Sequence, residues 1–111
     1  MPDLIEVTTT CGCQESARDL ARKLVDERLA ACVQITGPIE SVFRWEGQVR
    51  CDQEWVCRAK SLAPLAQRLI EFISNHHAYD VPEILIQPVA TCSDNYASWV
   101  CSEVRLPESS N

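Results

Sequence analysis

Only three glycines and two histidines occur in 111 residues, and both scarcities remove functions. Gly12, Gly37 and Gly47 stand too far apart to form a glycine-rich phosphate loop. Neither a G-x-S-x-G nucleophile turn nor an H-E-x-x-H zinc motif is present, so no familiar catalytic arrangement is visible and no enzyme is expected. Basic residues are outnumbered, 10 Lys and Arg against 16 Asp and Glu, for a net charge of -6. No basic patch is available to neutralise phosphates, which argues against a nucleic-acid partner, while the acidic balance suits weak attraction of cations. Long apolar runs are missing too: none approaches ~18 residues, so no membrane partner is expected. Met1-Pro2-Asp3-Leu4 lacks the basic region and apolar run of a secretory leader, and the expected location is cytoplasmic. There is no internal repeat and no low-complexity linker, so residues 1–111 read as one domain. What the chain has in quantity is cysteine. Its seven thiols, an odd count spread through predicted strands and helices, fit a reduced protein better than a disulfide framework.

The longest patterned stretch runs from Ala31 to Lys60. In its first arm Val33, Ile35, Ile39, Phe43 and Trp45 hold odd positions with mostly polar residues between them, the period of a half-buried strand. In the second arm Val49, Cys51, Trp55, Cys57 and Ala59 are again odd. Cross-strand neighbours share a face, so equal parity in both arms calls for an odd-length loop. The spacing predicts a three-residue connection, Trp45-Glu46-Gly47, ending in a bulge with Gly47 in the left-handed position. Each arm is about 13 residues, or about 43 Å at ~3.3 Å per residue, against a radius of gyration near ~13 Å for a chain this size. The hairpin should outrun its domain and present unpaired backbone groups that a partner subunit would cover.

In chain order, Leu4 to Thr10 reads as a strand, and Glu15 to Ala30 as an amphipathic helix with Ala17, Leu20, Ala21, Leu24 and Val25 in one stripe. After the hairpin, Ser61 is placed to cap a second helix whose Leu62, Leu65, Ala66, Leu69, Ile70 and Ile73 share a face. Glu83 to Thr91 reads as a fourth strand, and Ser93 or Asp94 caps a short last helix carrying Tyr96, Trp99 and Val100. The order β-α-β-β-α-β-α predicts an α+β, ferredoxin-like βαββαβ domain with a C-terminal helix. Its second and fourth strands are edges, and they are the ones that contain Pro38 and Pro88.

Cys11-Gly12-Cys13 is the stretch with the most chemistry. Two thiols one residue apart at a helix entry suit Cu(I) or Zn(II), and equally describe a strand-end cysteine with an unrelated neighbour. His76 and His77 are adjacent on a helix and point apart, so one ion is not expected to use both. Glu83 supplies a carboxylate near the fourth strand, or is a solvated strand-start residue. Cys32 reads as a buried structural thiol, Cys51, Cys57 and Cys101 as core or interface fillers, and Cys92 as exposed. Phe43, Trp45 and Trp55 are large for a ribbon in water and read as packing residues, with Trp45 at a subunit contact.

Four ordered motifs over about residues 4 to 104 resemble the CutA family of divalent-cation tolerance proteins. They are Thr9-Thr10-Cys11, the run Glu27-Arg28-Leu29-Ala30-Ala31-Cys32-Val33, Trp45-Glu46-Gly47, and His77-Ala78-Tyr79-Asp80-Val81-Pro82-Glu83-Ile84, with Tyr96 and Trp99 following. The resemblance implies a homotrimer of the PII type whose hairpins pack on neighbouring subunits. It also implies a link to tolerance of divalent metals, copper above all. It favours His77 over His76, so the candidate metal ligands are Cys11, Cys13, His77 and Glu83. The chain departs from the family at Gly12, where proline is frequent, at Cys13, where a polar or acidic residue is usual, and at Ala78. Two other readings stay open: a signalling or scaffold module binding a small molecule between subunits, and a redox-active or nucleophilic Cys11.

Overall fold

A computed structural model of the chain describes residues 2–107. Strand β1 (Leu4–Cys11) leads into helix α1 (Gln14–Asp26), followed by β2 (Cys32–Trp45) and β3 (Gln48–Leu62). A 3-10 turn (Ala63–Leu65) opens into α2 (Ala66–His76), then come β4 (Ile84–Pro88) and α3 (Asp94–Glu103). The sheet order is β2-β3-β1-β4 with every neighbouring pair antiparallel, the ferredoxin-like arrangement with β1 and β3 central. Ile5, Val7, Cys57 and Ala59 turn one sheet face into the core, against Ala17, Leu20 and Leu24 of α1 and Leu69 and Ile73 of α2. The opposite face carries Glu6 directly across from Lys60, their charges 3.1 Å apart, with Gln34 accepting from the same ammonium.

Several boundaries differ from the sequence reading, each for a local reason. Helix α1 ends at Asp26, not Ala30. Arg28 adopts φ 58°, and the amides of Arg28 and Leu29 reach back to the carbonyls of Val25 and Leu24 at 3.0 Å. These are the two bonds of a Schellman cap, with Leu29 packing beside Leu24, so the apolar stripe continues past a helix that has already stopped. Ser61 does not cap α2. It stands in β3 opposite Ile5, and its hydroxyl donates to the Leu29 carbonyl at 2.6 Å; the helix starts instead with Pro64 in the 3-10 turn. Strand β4 is short, Ile84–Pro88, pairing from Thr9 to Ile5; past Pro88 the Val89 amide makes one more bond, to the Leu4 carbonyl at 3.0 Å, where β1 begins. Ser93 caps α3, accepting from the Tyr96 amide at 3.3 Å.

The hairpin turn is the main correction. Trp45 pairs with Gln48, leaving a two-residue loop in which Glu46 and Gly47 both have positive φ, 50° and 78°. That is a type I′ turn, whose twist matches the strands. The odd-length irregularity sits further down, at Gly37-Pro38, where two residues of β2 stand against Trp55 alone and the register shifts between Thr36 and Ile39. Below the bulge Val33 and Ile35 share the core face with Ala59 and Cys57. Above it, odd pairs with even: Phe43 opposes Arg50, and Val42 opposes Cys51. The apolar residues of the tip are therefore divided between two faces instead of forming one.

Strand β1 ends opposite Trp55, so residues 38–54 continue as a two-stranded ribbon. The chain measures 48 × 32 × 24 Å, and its radius of gyration is 14.9 Å, above the ~13 Å of a compact chain of this length. Phe43 and Trp45 are exposed on the ribbon, as are Val42 and Val49 at 67% and 66%. Trp55 is at the ribbon's root, packed against the core, with its ring over Gly37. A Cβ at position 37 would lie 2.3 Å from Trp55 Cδ1. Gly37→Ala should therefore destabilise the protein by about 1–3 kcal/mol in urea unfolding. Combining it with Trp55→Leu should cost less than the sum of the single changes.

Candidate functional site

The site forms where β1 runs out. Cys11 is the last residue of the strand and is 3% exposed, Gly12 bends the chain, and Cys13 caps α1. The Cys13 sulfur accepts from the Ser16 amide at 3.4 Å and lies 3.0 Å from the Ser16 hydroxyl. It thus does the work of the usual Ser, Thr, Asp or Asn cap. From the other side, the segment after α2 folds under the end of β1. Cys11, Gly12, Cys13, Ser16, His77 and Tyr79 together line most of a cavity of about 400 Å³.

His77 is held at both ring nitrogens. The Tyr79 amide, which can only donate, points at Nδ1 at 3.0 Å, so Nδ1 accepts and Nε2 carries the hydrogen that it donates to the Thr10 carbonyl at 2.7 Å. Strand β4 stops opposite Thr9, and His77 takes the next carbonyl along β1. In this arrangement the imidazole has no free lone pair. Ligation by His77 requires it to release the Tyr79 amide.

Beyond Cys11, Tyr79 and Gly12 occupy the space beside β3 that β1 has vacated. The Tyr79 hydroxyl donates to Glu54 at 3.1 Å, and a Cβ on residue 12 would come within 3.0 Å of the same oxygen. Glu54 is 8% exposed. In the sequence it is an even, polar position of the hairpin's second arm, and no pattern marks it. Its burial follows from β1 ending one residue earlier on the neighbouring strand. Burial, then the Glu54 carboxylate, pushes the Tyr79 phenol up to about 12.

The two thiols of the motif stand in different surroundings. Cys13 is exposed, and the donors of Ser16, hydroxyl first and amide second, hold its thiol below the ordinary range. Cys11 is lowered by its neighbour the Cys57 thiol, against the opposing effects of burial and Glu54; the Cys57 thiol itself donates to the Ala17 carbonyl at 3.7 Å. Cys57 is correspondingly pushed up. Cys57 thus packs in the core as a filler and also contacts the motif, a connection that spacing alone could not show. Cys51, read as a filler, is exposed on the ribbon and bonded to Glu40 at 2.9 Å.

Of the candidate ligands, Cys11, Cys13 and His77 line one cavity. Glu83 does not: it is exposed one residue before β4 and is not among the cavity's lining residues. Among the described residues, no three of His, Cys, Asp and Glu are grouped to hold an ion.

Fold and site together define a ferredoxin-like domain with a projecting β-ribbon and a thiol-lined cleft at the end of its first strand. A family model described as CutA1 divalent ion tolerance protein matches residues 5–103, and the chain belongs to that family. The chloroplastic protein CutA of Arabidopsis thaliana is 40% identical over 101 residues, covering 91% of this chain and 56% of that protein. The divalent-cation tolerance protein CutA of Thermus thermophilus is 39% identical over 94 residues, 85% of this chain and 91% of its own length. The crystal structure of CutA1 from Oryza sativa matches with a TM-score of 0.91 at 36% identity, covering 94% of this chain and 95% of that one. The chain thus spans little more than half of the plant relative and nearly all of the bacterial one.

The Tyr79–Glu54 bond yields a pH prediction. A phenol raised in the folded state contributes stability that is complete below pH 10 and lost as pH rises through about 12. Tyr79→Phe should remove the later step of phenolate absorbance, leaving Tyr96 as the only remaining tyrosine. At neutral pH it should cost about 1 kcal/mol of stability.

Proposed function

We propose that this protein is a non-enzymatic, cytoplasmic homotrimer that binds copper or another divalent ion and thereby contributes to metal tolerance. Family membership supports the link to divalent cations. The observation that carries the binding site is the placement of Cys11 and Cys13 on the wall of one cavity, with His77 beside them. Two thiols are an incomplete donor set for Zn(II), whose structural sites take four ligands. A neighbouring subunit at the cleft would complete it. The trimer reading is supported by the ribbon, which offers Phe43, Trp45, Val42 and Val49 to a partner on two faces. In this reading His77 exchanges the Tyr79 amide for the ion, and Glu83 contributes only from another chain or after movement.

The second reading is a module of the PII type that binds a small molecule between subunits. The engaged ring of His77 favours it, because an imidazole already satisfied at both nitrogens serves better as a wall than as a ligand. Of the described residues, no helix is long and apolar enough to cross a membrane.

A competitive titration of the reduced protein with Cu(I), Cu(II) and Zn(II) separates the readings. Metal binding predicts a fixed ratio per subunit, weakened more than about tenfold by Cys13→Ser and abolished by Cys11→Ser/Cys13→Ser/His77→Ala. Equal weak binding by wild type and triple variant would remove the metal role and direct attention to metabolites stabilising the metal-free protein. Sedimentation of a stable monomer would sink the trimer.

A further inference from the structure

The cavity at the end of β1 contains more sulfur chemistry than ligation requires. Cys13 is exposed at its mouth, and its sulfur is aimed by two donors of Ser16, the arrangement that favours negative charge on sulfur. Cys11 lies two residues away on the same cavity wall, nearly buried, with the Cys57 thiol behind it. Only Gly12 separates the outer and inner thiols, and with no Cβ it offers the least resistance to the rotation that brings two sulfurs together.

We propose that Cys11-Gly12-Cys13 is a dithiol–disulfide exchange site for low-molecular-weight disulfides, with Cys13 the attacking thiol and Cys11 the resolving one. The Cys13 thiolate attacks one sulfur of the small disulfide. A Cys13–sulfur bond forms, the small disulfide's bond breaks, and the first small thiolate leaves and takes a proton from water. Cys11, having given its proton to solvent, then attacks the Cys13 sulfur. The second small thiolate leaves, and an internal Cys11–Cys13 disulfide remains. Two electrons pass from the protein to the small disulfide, and excess small thiol reverses both steps. The inference is independent of the metal reading, since it needs neither an ion nor a second subunit.

The test uses the full reduced chain, treated with EDTA and exposed to oxidised glutathione, then quenched by alkylation at intervals. The first basic residue is Arg18, so trypsin releases residues 1–18 with Cys11 and Cys13 as their only cysteines. Wild type should show this peptide losing two hydrogens and both alkylation sites. The reaction should run about tenfold faster than modification of Cys51, an exposed thiol that the Glu40 carboxylate pushes up. Cys11→Ser should instead accumulate a glutathione adduct on Cys13, and Cys13→Ser, a change at an exposed position, should leave Cys11 alkylatable. The proposal is overturned if Cys13 reacts no faster than Cys51, or if the wild-type peptide stops at the mixed disulfide. It is equally overturned if the internal bond still forms in Cys13→Ser from another pair.

Discussion

Strand β1 is eight residues long, and β3, its central neighbour, is fifteen. Near Cys11 the sheet must therefore narrow from four strands to two, because β4 has already stopped opposite Thr9 and no strand replaces β1 beside Glu54. Much of the molecule's shape answers that one shortfall. Beyond it β2 and β3 continue as an unsupported ribbon. At the step itself α1 begins on a cysteine cap, His77 takes the Thr10 carbonyl, and Tyr79 fills the place next to Glu54. The cavity is the space left between these repairs. The site is thus built at a sheet terminus, where backbone groups would otherwise lack partners.

Strand and helix identities were legible because each element repeats its period several times. The alternation from Val33 to Ala59 and the stripes of α1 and α2 left little choice, and Pro38 and Pro88 pointed to the edge strands. The turn was misplaced because parity reports that an extra residue exists without saying where. The sequence placed it at Trp45-Glu46-Gly47; the register places it at Gly37-Pro38, opposite Trp55. The stop of α1 was hidden for a related reason. Its left-handed cap position is Arg28, not glycine, and the buried Leu29 and Ala30 extend the apolar pattern into the loop.

The candidate site was legible only in part. Cys11 and Cys13 drew attention by spacing, and the cavity brings them together with His77. Glu54, Tyr79 and Cys57 gain their roles from where β1 ends relative to β3, a fact of registry and not of composition. The result is a graded set of thiols: Cys13 at the surface, Cys11 beneath it, Cys57 in the core. Serine or aspartate at position 13 would cap α1 equally well by hydrogen bonding. Cysteine there adds reactivity without giving up the cap.

The ribbon has a thermodynamic consequence as well. Seventeen residues, 38–54, are ordered mainly by their own cross-strand bonds, and a lone two-stranded hairpin in water is marginal at best. Any surface that covers the ribbon must therefore supply the free energy of ordering it along with that of contact. The tip cannot behave as a preformed peg entering a hole. Its order and its docking rise and fall together, so the affinity of whatever covers it is set as much by the stiffness of a type I′ turn at Glu46-Gly47 as by the tryptophan beside it.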